Sequence, residues 1–521
     1  MITVSASVLG SRVLGLLRDS LTAAFLGVSL ASNAFIFAFL VPNLFRRMFG
    51  EGALTSAFVP VLSDHANHGD ERAFRFVNQV LLRLAILTVG IMAVLCVLFF
   101  GGAILIKNVW LGPDGWTKPI AEQWQLGAVL SVVMMPYMPM ICVTAILGAV
   151  LNVRSRFAVP ALSNMLLNVG MIAALLIGGL MMHLPAIELV WVLTIGVLAG
   201  GVMQLATAIW ALWREGWRPR IERGPVEGMD ELKRLFIPGL WGAAILQINI
   251  LVSRLLAFGL NETATTTLNY ANRLIELPLG IFAVAISTVI FPQMSAMVSA
   301  KDREGLVESY GHGLRMTLAL TMPAAVGLIV LNEPVLRMLF QWGRFSEGDV
   351  AMTGPLLMIL AATTPFFAVS SFITRGFHAF KDTKTPVACA LVAFVVNAGL
   401  GAVLMFPLEA KGLALANLLS SLALTFFLAR GIVKKKPELS GIRLMRAVGK
   451  ITVSAIGMAA ATYGMLLAVG ALMGETKQAA FVACGVIIPA GAAVYFAILF
   501  ALKFEDSAEI LKLIRRVLKR G

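Results

Sequence analysis

The residues best suited to do chemistry in this chain are arginines placed where arginine is expensive. Arg12, Arg18 and Asp19 lie in the apolar opening stretch, and Arg46, Arg47 and Glu51 lie in NAFIFAFLVPNLFRRMFGEGALTSAFVPVLS, which begins at Asn33. Arg83 and Arg254 follow, then the run NYANRLIELPLG with Asn272, Arg273 and Glu276. An arginine at the centre of a bilayer costs about 2.5–3.5 kcal/mol even on the lenient insertion scale, so it faces a water-filled cavity or a partner. Arg273 and Glu276 are three apart and share a helix face, so they can pair. Pro278 and Gly280 just beyond them can bend that helix. Arg46 and Glu51, five apart, and Arg12 and Asp19, seven apart, allow partial pairing along a face. For Arg47, Arg83 and Arg254 the favoured reading is a structural ion pair or a snorkelling side chain. For Arg18, Arg46 and Arg273 it is a functional cavity. Three cations in excess of their acids suit a polyanion, because guanidinium forks match phosphate oxygens.

Composition says which elements hold these residues. Of 521 residues, 59% are hydrophobic and 13% charged, against roughly 45–50% and about 25% in an average soluble chain. The mean hydropathy is +0.87. No water-soluble fold covers so much apolar side chain with so few charges, which excludes a soluble enzyme, a secreted disulfide scaffold and a disordered polymer. An all-α polytopic membrane protein remains, since a helix satisfies its own backbone in lipid. Charged and Pro/Gly-containing breaks leave about fourteen stretches long enough to span: 2–27, 33–63, 77–107, 124–152, 157–182, 187–213, 232–260, 265–299, 313–332, 350–380, 385–406, 409–432, 444–473 and 478–503. The first stretch lacks a charged n-region and an A-x-A site and carries arginines, so it reads as a retained helix rather than a signal peptide. Cys96, Cys142, Cys389 and Cys484 sit in apolar runs without CxxC spacing, and the five histidines are scattered. Neither a disulfide framework nor a metal or cofactor site is expected.

The net charge of +14 is read as loop bias, not as affinity for nucleic acid. The connections at 71–77, 152–157, 213–234, 301–305, 375–384 and 430–446, together with the tail, hold most of the Lys and Arg, and the alternate connections hold a handful. Cytoplasmic loops collect these residues, so both termini are expected in the cytoplasm. In the tail, Ile510, Leu511, Ile514, Val517 and Leu518 share one helical face and Lys512, Arg515, Arg516, Lys519 and Arg520 the other. That is either an amphipathic helix lying on anionic lipid or a plain basic end.

An internal repeat is visible. The segment from Pro136 to Gly170 is echoed from Pro365 to Gly399, with Pro136/Pro365, Asn168/Asn397 and Gly170/Gly399 all 229 residues apart. TSAFVPVLS at 55–63 likewise resembles STVIFPQMS at 287–295. An even number of helices separates the copies, so two parallel six-helix lobes are expected, related by an axis along the membrane normal. The division is 1–224 for the first lobe, 225–440 for the second, 441–503 for two extra helices and 504–521 for the tail. No Ser/His/Asp grouping, HExxH or Walker loop is present in the sequence, which points to a secondary transporter or flippase and away from an enzyme.

At this level the chain resembles the MurJ (MviN) family of bacterial lipid II flippases. The likeness is carried by SRVLGLLRDSLTAAFLG and SNAFIFAFLVPNLFRRMFGEGALTSAFVPVLS within 11–63, by NYANRLIELPLGIFAVAISTVIFPQMS at 269–295 and by FHAFKDTKTPVA at 377–388. It implies the fold of the multidrug/oligosaccharidyl-lipid/polysaccharide exporter superfamily, with two lobes around a cationic cavity and the last two helices lining a groove for a lipid tail. It implies lipid II as substrate, membrane lipids as surroundings and cell-wall synthesis or division proteins as possible company. By motif, Arg12, Arg18, Arg46, Arg273 and Glu276 fall on the headgroup positions. Asp19, Asn33, Glu51 and Asn272 would tune the cavity, and Asn33 and Asn272 stand where the family pattern often has Asp. Other readings are a flippase for another polyprenyl-diphosphate glycan, a cation-coupled drug antiporter, whose substrates this cavity would repel, and a membrane scaffold for cell-wall enzymes.

Overall fold

A computed structural model gives the architecture, described for all residues except 1, 51–52, 107–117, 223, 225–226, 281–283, 301, 442–443, 475 and 512–521. Among the described residues there are helices and no strands. α1 (Ile2–Leu26) is the first expected stretch, and α2 (Leu30–Phe45), a π-helical turn at Arg46–Gly50 and α3 (Ala53–Asn67) form the second. α4 (Asp70–Leu105) is the third. α5 (Lys118–Met134) and α6 (Tyr137–Val153), bent by 44° between them, are the fourth. Next come α7 (Ala158–Leu175) with a π turn to Met181, α8 (Ala186–Arg214) and α9 (Met229–Leu260). The second half holds α10 (Ala264–Pro278), α11 (Val284–Ala300), α12 (Arg303–Val330), the short α13 (Asn332–Phe340), α14 (Glu347–Ala361) and α15 (Thr364–Ala379). It ends with α16 (Lys384–Lys435), α17 (Leu444–Met473), α18 (Lys477–Val482) and α19 (Ile488–Ala501).

The 52-residue α16 is two stretches in one. Glu409 leaves helical geometry at φ 49° and ψ −133°, and the chain folds back there. Ser420 Oγ donates to Ala393 O at 2.7 Å, and a Cβ on Gly412 would collide with Leu404 O. Only glycine lets the two arms approach so closely. This fold-back supplies the eleventh and twelfth expected stretches. Eight helices are singly long and apolar enough to cross a bilayer among the described residues, or nine with the bent α5–α6 pair. The stretches that fall short of that test are α1, α2–α3, α9 and α10–α11, the ones that hold Arg18, Arg46, Arg254 and Arg273.

The helices gather into two compact units. Residues 1–266 with 342–346 form one. In it α7 packs on α1 and α8, α2 on α5, and α3 on α4, α6 and α9. Gly170 of α7 makes the α8 contact possible, since a Cβ there would lie 2.7 Å from Gly196 O. The core runs through Phe35, Phe58, Phe76, Tyr137 and Leu193. Residues 267–341 with 347–521 form the other unit. There α12 packs on α11, α14, α15 and α17, with Tyr310, Phe372, Phe377 and Tyr495 in the core. Tyr495 donates its hydroxyl hydrogen to Ala319 O at 2.9 Å. Glu51 and the basic face of the tail fall outside the described residues. The tail is described to Leu511, with Ile510 buried in the second unit's core.

Candidate functional site

The first unit places Arg18 two turns before the end of α1, against α7. Its Nε and Nη2 both donate to Asp19 Oδ1, at 3.0 and 2.6 Å, and its Nη1 donates to Asn168 Oδ1 at 3.0 Å. The Arg18 and Asp19 side chains are only 15% and 12% exposed. Neighbours in a helix point about 100° apart, so the long arginine folds across to reach Asp19. The pairing of Asp19 is therefore with Arg18, not only along the helix towards Arg12, which is itself half-buried. Asn168 is 6% exposed and gives its Nδ2 to Ser11 O at 3.4 Å. Sequence reading flagged Asn168 only as a repeat position.

Arg46 opens the π turn that follows Pro42. Proline lacks an N–H and its ring crowds the preceding turn, so a break in the α-helical ladder is expected just after it. Such π turns often re-aim functional side chains. Arg46 Nε donates to Asn43 Oδ1 at 2.9 Å. Arg83 is exposed on α4 beside exposed Ile86 and Leu87, and Arg254 reaches Thr265 O at 3.5 Å.

Asn33 is fully buried and uses its whole amide. Nδ2 donates to Gln123 Oε1 at 3.1 Å and Asn261 O at 3.0 Å, while Oδ1 accepts from Thr266 N at 2.8 Å and Thr266 Oγ1 at 2.5 Å. It fastens the start of α2 to α5 and to the turn after α9. A carboxylate there would face two acceptors.

In the second unit Arg273 and Glu276 pair as their spacing predicts, Nη1 to Oε2 at 3.0 Å, with side chains 34% and 53% exposed. Asn272 turns to its own helix, Nδ2 to Leu268 O at 2.7 Å. A cluster that sequence reading missed lies beyond α19. Asp506 accepts from Arg315 Nε at 2.6 Å and Nη2 at 3.0 Å, and shares Oδ1 with His312 Nδ1 at 2.8 Å. Burial alone would raise the Asp506 carboxyl. The hydrogen bonds from His312 and Arg315, with their charges, instead hold it below the ordinary range.

Arg18 and Arg273 thus sit in two settings, one nearly buried and one partly exposed, each paired with a carboxylate. A family model described as "Lipid II flippase MurJ" matches residues 22–482. The chain belongs to the MurJ lipid II flippase family. A probable lipid II flippase MurJ of Haemophilus influenzae is 33% identical to it over 472 residues, 87% of this chain and 89% of the relative. A solved lipid II flippase MurJ in an inward-closed conformation matches with TM-score 0.78 at 25% identity, covering 97% of this chain and 99% of that one. An inward-facing multidrug resistance MATE family transporter of the MOP superfamily shares the fold, with TM-score 0.64 at 13% identity over 83% and 96% of the two chains. As a MurJ family member the chain is a transporter and not an enzyme, a multi-pass protein of the bacterial inner membrane.

Proposed function

We propose that this chain moves lipid II, undecaprenyl diphosphate carrying the disaccharide-pentapeptide unit of peptidoglycan, from the cytoplasmic to the periplasmic leaflet by alternating access. The diphosphate is held by Arg18, Arg46 and Arg273, with Arg12 and Glu276 lining the site and Asp19, Asn33, Glu51 and Asn272 setting its charge. The lobes are 1–224 and 225–440, the polyprenyl tail stays in lipid along 441–503, and the tail 504–521 and both termini are cytoplasmic.

The observation that carries this reading is MurJ kinship over residues 22–482 in a chain whose first helix keeps a nearly buried guanidinium. The work of flipping is desolvation of a diphosphate, and preformed guanidinium donors offset it by replacing water with charge-assisted hydrogen bonds. Lys/Arg asymmetry between alternate connections supports the orientation.

The test is complementation of a strain depleted of its lipid II flippase, by wild type and by Arg18→Ala, Arg46→Ala and Arg273→Ala, with membrane levels measured by blot. Rescue by wild type and by none of the expressed variants is the expected result. Rescue by all of them would reduce the three arginines to structural pairs. No rescue by a well-expressed wild type would favour another polyprenyl-diphosphate glycan as substrate.

A further inference from the structure

We infer that Asn168 is the positioning residue of the Arg18 site and that Asp19 is a place-holder, occupying the edge of the guanidinium where a substrate phosphate binds. The inference rests on the diphosphate reading above and deepens it.

A guanidinium presents its strongest recognition edge through Nε–H and one Nη–H, two parallel donors spaced for two oxygens of a carboxylate or phosphate. On Arg18 both donors of that edge converge on one oxygen, Asp19 Oδ1. A single oxygen shared by two donors is a weaker arrangement than one oxygen for each. A phosphate, with several oxygens, can fill the edge fully. The other end of the group is held differently. Nη1 donates to the neutral amide oxygen of Asn168 and lies 3.8 Å from Met171 Sδ, both on α7. Asn168 is itself buried and anchored back to Ser11 O on α1, so the amide spans the packed α1–α7 pair. Being neutral, it fixes the plane of the guanidinium without spending its charge. Exchange at the Arg18 edge then swaps one anion for another: Asp19 out, phosphate in, with Nη1 staying on Asn168. The displaced Asp19, left beside its own backbone neighbour, competes for return and so favours release.

The substitutions separate these roles. Asn168→Ala frees the guanidinium to swing and is expected to weaken binding about tenfold, the scale of one hydrogen bond to a charged group. Asn168→Asp keeps the shape and an acceptor but adds a second negative charge, and is expected to weaken binding further, on the order of a hundredfold. Asp19→Asn removes the competitor, so affinity rises about tenfold while the flipping rate falls. Asn168→Asp also gives up the Nδ2 bond to Ser11 O, so its affinity is read on protein that reaches the wild-type membrane level.

The experiment measures lipid II affinity in nanodiscs and flipping in proteoliposomes for these variants and for Arg18→Ala. Unchanged binding by Arg18→Ala would sink the diphosphate reading, and this inference with it. Weakened binding by Arg18→Ala with wild-type affinity for both Asn168 variants would overturn the inference alone. Should Asn168→Ala fail to accumulate in membranes, Asn168→Asp decides by the same criterion. Unchanged or weaker affinity in Asp19→Asn would overturn the place-holder role.

Discussion

Replacing Asn33 by alanine should destabilise the first unit by about 2–4 kcal/mol. The side chain is fully buried and takes part in four hydrogen bonds, two given and two received, to Gln123, Asn261 and Thr266. Each such bond is worth about 0.5–1.5 kcal/mol net, and a buried group stripped of its partner costs about 1–3 kcal/mol. Gln123 keeps its bond to Phe258 O at 2.7 Å, so the loss stays below the simple sum. Thr266→Val removes only the hydroxyl's 2.5 Å bond to Asn33 and should cost about 1 kcal/mol. Because that bond is counted in both single variants, the double variant should fall short of additivity by about 1 kcal/mol. Thermal melting in detergent reads the effect. A body of 150–250 residues shifts by about 2–4 °C per kcal/mol and a larger one by less, so Asn33→Ala should melt roughly 3 °C or more early. A melt within about a degree of wild type, or strict additivity with Thr266→Val, would show that the four bonds are made equally well to water and that the argument from burial is wrong.

Three further outcomes follow from local geometry. Asp382 caps the start of α16 through Lys384 N, Thr385 N and Thr385 Oγ1 and pairs with Lys435. Burial would raise its carboxyl, yet the bonds from Lys435 and Thr385 hold it down at about 2. Its folded value lies below its unfolded one, so its contribution is complete above about pH 4 and is lost as pH falls towards 2. Asp382→Asn should cost about 1 kcal/mol at neutral pH and almost nothing near pH 2, as a melting series across pH would record. Gly170→Ala should push α7 from α8 at a cost of about 1–3 kcal/mol, whereas Gly399→Ala, at the matching repeat position with open space around it, should be neutral or stabilising on the same melt. Asp506→Ala leaves Arg315 and His312 without their shared acceptor and should make the segment after α19 more easily cut by protease, with cleavage near residue 505 as the readout.

What could be seen in the sequence was what is local or compositional. Apolar length marked the helices, and the three-residue spacing of Arg273 and Glu276 marked their pair because helical neighbours are fixed by the backbone alone. The break at 407–408 separated the stretches 385–406 and 409–432, which fold back at Glu409. What stayed hidden depends on chain segments far apart. Arg18 and Asn168 are 150 residues apart, and Arg315 and Asp506 are 191 apart, and no spacing rule joins them. The repeat did mark Asn168, yet only its burial and its bond to Arg18 say what it does. Asn33 was read as a missing charge, and its hydrogen bonds give it a fastening role that its residue type alone does not reveal. The π turn at Arg46–Gly50 was foreshadowed by Pro42 but not determined by it.

The arginines of this chain sort by how completely their charge is answered. Arg315 has the side-on grip of a carboxylate with both oxygens engaged, and Arg337 has Glu333 and Glu347 within 3.7 and 2.6 Å. Such groups have little left to give a ligand, and they tie helices or loops together. Arg83 takes the opposite course, exposed on the long apolar α4, where a flexible stem can carry the charge towards headgroups. Arg18 belongs to neither class. It is at least as buried as Arg315, 15% against 18% exposed, yet it is met by one carboxylate oxygen and one neutral amide. Burial raises the cost of an incompletely answered charge, and packing α1 on α7 keeps it there. In the proposed function that cost is recovered when a phosphate takes the place of Asp19 on the guanidinium edge, an exchange closed to a permanently paired arginine.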